Sequence, residues 1–179
     1  VCGTANLSHS TVEHAWALIL GATKQLPAKD RALREGRWQA GLSVSLKDST
    51  LGILGLGRLG SAVAKIGQLF GMNVIAWSQN LTQERCDEVG GVKLVDKDTL
   101  FKNSDVLSIH YKLSERSTGI VAAKELGQMQ SSAYLVKTSR APSIDEHGLL
   151  DNSRTKAIAG AASDAKWVEP LPAAPPLRT

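Results

Sequence analysis

Cysteine is scarce in this chain. It occurs only at Cys2 and Cys86, far apart and outside any CxxC pair, which argues against both a disulfide framework and a metal site. Two such thiols suit a reducing compartment, and a cytoplasmic protein is expected. Aromatic residues make up 4% of the chain, and 21 Lys+Arg against 17 Asp+Glu leave a net charge of +4. Mild, dispersed positive charge with few stacking rings does not make a nucleic-acid surface. Long apolar runs are missing too. The longest, AWALILGA at 15–22, falls well short of the roughly 20 residues a spanning helix needs, so no membrane partner is expected. No basic lead followed by an apolar stretch reads as a signal peptide.

What is present is an alternation. Ser10 and Glu13 form a capping-box pattern ahead of Val12, Ala15, Trp16 and Ile19, which recur at helical spacing. Pro27 stands where a second helix can start. After Lys47, short apolar or β-branched runs at 51–54, 73–77, 92–95, 105–110, 133–138 and 157–163 alternate with helix-like segments near 58–70, 81–88, 97–102, 122–129 and 145–152. That order predicts one α/β domain: a doubly wound parallel sheet of six strands with helices on both faces. Runs such as LGIL, VLSI and AYLV are continuously apolar, as strands covered on both faces must be. The division expected is a helical arm at 1–45, a core at 46–165 and a proline-rich connector at 166–179.

The stretch GLGRLG at 55–60 follows a strand and opens a helix. In that context GxGxxG reads as a dinucleotide loop. Gly55 permits the tight turn, Gly57 lets the backbone approach a pyrophosphate, and Gly60 lets the helix close on the sheet. The first helical N–H groups, at Arg58 and Leu59, then point at phosphate oxygens. A loop of this kind selective for NAD carries an acid at the end of the second strand. Here Ser78 takes that place, followed by Gln79 and Asn80. A hydroxyl and two amides can bond a ribose without repelling a 2′-phosphate, and Arg85 is the first arginine downstream. The expected cofactor is NAD or NADP. A packing-only turn and an S-adenosylmethionine-binding domain are the alternatives the residues leave open.

VEHAWALIL, TLGILGLGRLGSAVAKIGQLFGMNVIAW, SDVLSIH, AYLVKTSRAPSIDE, IAGAASD and VEPLP occur in an order that resembles the D-isomer-specific 2-hydroxyacid dehydrogenases, over nearly the whole chain. The resemblance implies hydride transfer between a nicotinamide and a small 2-oxo or 2-hydroxy acid, in a protein that pairs as a homodimer through this domain. It makes Arg140 the substrate-binding arginine and Glu169 the acid that charges a catalytic histidine. It places Asp164 at the nicotinamide carboxamide, Thr138 and Ser139 in the nicotinamide pocket, and His110 and Tyr111 on the cofactor wall. Thr11 could reach the cofactor from the first helix. The family's catalytic histidine falls beyond Thr179. None of His9, His14, His110 and His147 replaces it, so this chain by itself is expected to bind a dinucleotide but to turn over 2-oxo acids poorly.

The sequence departs from the family pattern at several points. Lys137 stands for an asparagine, Ala141 for a glycine, Lys112 for a proline or aliphatic, and Lys166 for a hydrophobe. If the backbone at 141 needed positive φ, Ala141 would strain it. These departures keep a second reading in view, a non-catalytic NAD(H)-sensing or scaffold module of the same fold.

Overall fold

The computed structural model describes residues 8–39, 41–145, 147–149, 155 and 157–164. Glu169, Cys2, Lys166 and the connector at 166–179 lie outside them.

Six strands form one parallel sheet: β1 (Thr50–Leu54), β2 (Asn73–Trp77), β3 (Val92–Leu94), β4 (Val106–Ile109), β5 (Tyr134–Lys137) and β6 (Gly160–Ser163), in the order β3-β2-β1-β4-β5-β6. The chain runs outward from β1 to β3, then returns to β1's other side and continues to β6. That reversal between β1 and β4 opens a crevice at the strands' carboxyl ends, where open α/β sheets bind ligands. All four residues of β4 and all four of β5 are buried, which is why their sequences show no polar alternation.

Helices cover both faces, as expected. α1 (Ser8–Thr23), α3 (Arg58–Leu69) and α4 (Gln83–Val89) pack on one side. There Val12, Ala15, Trp16 and Ile19 meet Leu51, Ile53, Tyr134 and Val136. α5 (Lys97–Asn103) and α6 (Ala123–Leu126) cover the other, where Leu100, Phe101 and Leu126 meet Leu54, Leu107 and Leu135. The Trp16 ring packs at a tilt on Phe70, 4.9 Å between centroids. α2 (Leu26–Arg34) has Pro27 in its first turn, where a missing N–H costs nothing.

Some ends differ from the pattern. α1 is already helical at Ser8, so Ser10 and Glu13 are interior positions rather than a terminal box. α6 stops at Leu126 because Gly127 ends it, well short of 129. α5 is capped by Asp96, whose carboxylate accepts from the Thr99 N–H (2.8 Å) and hydroxyl (2.7 Å); those bonds hold its pKa down. Ala141 is not at positive φ and opens a 3-10 turn with Pro142, so no strain arises there. Among the described residues no helix is long and apolar enough to cross a membrane.

Candidate functional site

At the reversal, β1 ends and the chain turns at Gly55, with φ +101°. A Cβ there would sit 3.1 Å from both the His110 carbonyl carbon and the Tyr111 ring, so the turn is pressed against the end of β4. Gly57 caps α3, and a Cβ on it would meet nothing within 4 Å; that side of the loop is open for a ligand to approach. Gly60 lies beneath. Its Cβ would fall 2.1 Å from the Gly55 carbonyl oxygen, so only glycine lets α3 start this close to β1. The N–H groups at Arg58 and Leu59 have no intrahelical acceptor by helix geometry, and they open onto the crevice.

The crevice is a cavity of about 1020 Å³ above the ends of β1, β2, β4 and β5, at the upper end of the range for small-molecule sites. Gly55, Gly57, Arg58 and Leu59 form its floor, and Ser78 and Asn80 one side. His110 and Tyr111, with Thr138 and Ser139, complete the wall. Among the described residues, none that lines it is an Asp or Glu.

Hydrogen bonds fix this wall. The Leu56 N–H donates to the Ser78 hydroxyl (3.2 Å) and the Gln79 N–H to the Tyr111 hydroxyl (2.8 Å). The Tyr111 ring stacks near Trp77, 6.4 Å between centroids. His110 Nε2 lies 2.8 Å from the Ser108 hydroxyl, while its Nδ1 is buried with no partner. Burial lowers the His110 pKa to about 4, so the ring is neutral near neutral pH and carries one unmet hydrogen-bonding atom at the crevice wall. A dinucleotide fits this set: free helix N–H groups and cations for its phosphates, hydroxyls and amides for its sugars, and no carboxylate to repel it.

Four anticipated residues among those described do not line the crevice: Gly60, which lies beneath it, and Arg140, Asp164 and Thr11. Arg140 follows Ser139 with an exposed side chain, its carbonyl accepting from the Ser143 N–H and hydroxyl. Asp164 follows β6, its N–H donating to the Lys137 carbonyl and its carboxylate 3.5 Å from His14 Nε2. Thr11 is half-buried on α1, one turn before His14. Conversely, Leu81, Leu113 and Ser114 do line the crevice without having been singled out. Each lies just past a strand's carboxyl end, and counting a few residues further along those loops would have found them.

Residues 16–179 match the family model described as D-isomer specific 2-hydroxyacid dehydrogenase, NAD binding domain. The chain is 38% identical over 174 residues to a glyoxylate reductase of Aeropyrum pernix, covering 92% of this chain and 52% of that one. It is 36% identical over 163 residues to a D-3-phosphoglycerate dehydrogenase of Archaeoglobus fulgidus, covering 90% of this chain and 31% of that one. Among solved structures, a phosphoglycerate oxidoreductase from Vibrio cholerae superposes with a TM-score of 0.89 at 34% identity, covering 97% of this chain and 56% of that one. An Aquifex aeolicus D-lactate dehydrogenase complexed with NAD and lactic acid gives 0.84 at 27%, covering 91% and 49%. The chain thus spans roughly a third to a half of its relatives' length. With the glycine turn, the strand order and the crevice all in register with that match, the chain belongs to the D-isomer specific 2-hydroxyacid dehydrogenase family and forms its NAD-binding domain.

Proposed function

We propose that this chain holds the nicotinamide dinucleotide for an enzyme that reduces a small 2-oxo acid, or oxidises the matching 2-hydroxy acid. The observation that carries this is the crevice: a glycine turn and the start of α3 at the strand reversal, cations and amides around it, and no carboxylate among the described residues. When bound, the nicotinamide supplies or receives the hydride. The chain's own part is to bind and orient. Arg58 and the N–H groups of α3 face the diphosphate, Ser78 and Asn80 the adenosine ribose, and Thr138 and Ser139 the nicotinamide end.

Arg140 grips the substrate carboxylate with its paired donors. Glu169 stabilises the charged form of a histidine supplied from beyond this chain, raising its pKa. That histidine then gives its proton to the carbonyl oxygen. Without it the chain loses about 100- to 10,000-fold in rate. The missing acid at Ser78 supports acceptance of NADP as well as NAD, with affinities far closer than in an acid-bearing domain. The names of the relatives support glyoxylate, D-3-phosphoglycerate and D-lactate as substrates to try. We further propose a homodimer formed through the arm within 1–45, a reading supported by its exposed apolar side chains at Leu26, Leu33, Trp38 and Leu42.

The experiment is calorimetric titration of the chain with NADH, NADPH and S-adenosylmethionine, together with turnover assays of the full-length protein on the three acids. Saturable dinucleotide binding with turnover supports the enzyme. The same binding without turnover in the full-length protein assigns the sensing role instead. No dinucleotide binding at about millimolar concentration, the weakest affinity worth the name, sinks both.

A further inference from the structure

A dinucleotide carrying an extra phosphate on its adenosine ribose needs a cation near the end of β2. Arg85 is not that cation. It is tied to Glu88 at 2.6 Å and reaches the Ser61 hydroxyl at 3.4 Å. The crevice has two lysine or arginine side chains of its own, Arg58 and Lys112, and neither makes an ion pair among the described residues. Arg58 opens α3 and belongs with the diphosphate. Lys112 sits on the loop after β4, and this loop is bound to the turn after β2. The hydrogen bond from the Gln79 N–H to the Tyr111 hydroxyl, 2.8 Å, joins the two segments directly. On its other side the loop is pinned by Ser117, whose hydroxyl donates to the Lys112 carbonyl (2.8 Å) and accepts from the Ser114 N–H (2.7 Å). Lys112 therefore lines, from a backbone held on both sides, the same cavity as Ser78, Gln79 and Asn80.

We propose that Lys112 is a specificity-determining residue that meets the ribose 2′-phosphate of NADP(H) beside the Ser78–Asn80 turn. This rests on the dinucleotide-binding reading above. The phosphate carries close to two negative charges at neutral pH, and among the described residues no carboxylate lines the cavity to oppose it. A lysine acts here as a point charge on a flexible stem, suited to a phosphate that NAD lacks.

The test is fluorescence titration of the full chain with NADH and NADPH, for wild type, Lys112→Ala, Lys112→Arg, Lys93→Ala and Arg58→Ala. Lys93 lines a neighbouring hollow shared with Ser78 and Gln79, so it is the competing cation. Wild type is expected to bind both dinucleotides. Lys112→Ala should lower the NADPH-to-NADH affinity ratio about tenfold, the scale of one charge-assisted bond, and Lys112→Arg should keep most of it. Arg58→Ala should weaken both ligands and leave the ratio in place. Added salt should erode the ratio in wild type and not in Lys112→Ala. The assignment is overturned if Lys112→Ala leaves the ratio within about twofold, or if Lys93→Ala moves it instead. Binding of NADH with none of NADPH overturns this inference alone, whereas binding of neither removes the dinucleotide reading and this inference with it.

Discussion

At the scale of single residues, His110 is the group whose chemistry the fold changes most. It lies two positions past Ser108, on the same face of the strand's continuation, and burial holds its pKa at about 4 against an ordinary 6.5. Above about pH 6.5 the folded and unfolded rings are both neutral and stability is unaffected. Between 6.5 and 4 the unfolded chain binds a proton that the folded chain refuses, so stability falls as the pH drops. The full loss below pH 4 is on the order of 3 kcal/mol. Urea unfolding at about pH 7 and about pH 5 should show this loss begin in wild type and shrink in His110→Gln, with an imidazole that titrates near 6.5 by NMR as the contrary result. Gly60 tests the packing beside it. Gly60→Ala puts a methyl against the Gly55 carbonyl oxygen, and should cost about 1–3 kcal/mol of stability and weaken NADH binding as α3 is pushed off the turn. Unchanged stability and affinity would mean that α3 need not lie so close. Gly60 was legible in the sequence because a contact that admits only glycine is written as glycine. The burial of His110 was not legible, since it depends on tertiary packing at the end of β4, where the Gly55 turn closes on the His110 backbone.

At the scale of elements, α5 and α6 are joined by one ion pair, Lys97 Nζ to Glu125 Oε1 at 3.0 Å. Burial pushes the Glu125 carboxyl up. The hydrogen bond from Lys97, the Ala122 N–H and the Lys97 charge together outweigh it, and the pKa ends below 4.5. A lowered carboxyl contributes stability that is present above its unfolded pKa and is lost as the pH falls through the folded one. Lys97→Met leaves a carboxylate with 12% exposure facing only a backbone N–H. With Lys97 itself 27% exposed, solvent screening reduces the expected cost to about 1 kcal/mol. The difference between wild type and variant should be seen in denaturation at neutral pH and should close as the pH falls through the lowered pKa of the folded carboxyl; equal stability at neutral pH would show that the pair holds nothing. Strands were easier to read than helix ends. β1, β4 and β5 announce themselves as unbroken apolar runs because both faces are covered, and Pro27 marks the first turn of α2. The end of α6 was misjudged because apolar spacing continues through Met129 although Gly127 has already released the helix, and the start of α1 because a capping pattern can also sit inside a helix.

At the scale of the whole molecule, the strand order and the reversal between β1 and β4 follow from the alternation of elements, so the place of the crevice was legible before any side chain. The separation of Arg140, Asp164 and Thr11 from its lining was not, because it depends on tertiary placement: Thr11 lies on α1, Asp164 follows the edge strand β6, and Arg140 turns outward after Ser139. The arm shows the same limit. Helical spacing marks Val12, Ala15, Trp16 and Ile19 as one apolar stripe, and α1 spends it on the sheet, with Ile19 fully buried. The apolar side chains left in water come later: Leu33 at 59% exposure, Trp38 at 79% and Leu42 at 93%. A stable dimer needs about 800 Å² from each partner, and three large apolar residues on one short stretch can form the centre of such a patch. Sedimentation of the chain at tens of micromolar should therefore give twice its 19.1 kDa mass. Replacing Leu33 and Leu42 together with Glu removes roughly 1.5–3 kcal/mol of burial for each side chain, enough to raise the dimer dissociation constant by a hundredfold or more. Because these side chains are exposed in the folded chain, the substitutions should leave its unfolding midpoint in place while the mass falls to that of one chain. A wild-type chain that sediments as a monomer, or a double variant that stays paired, would move the interface elsewhere on the molecule.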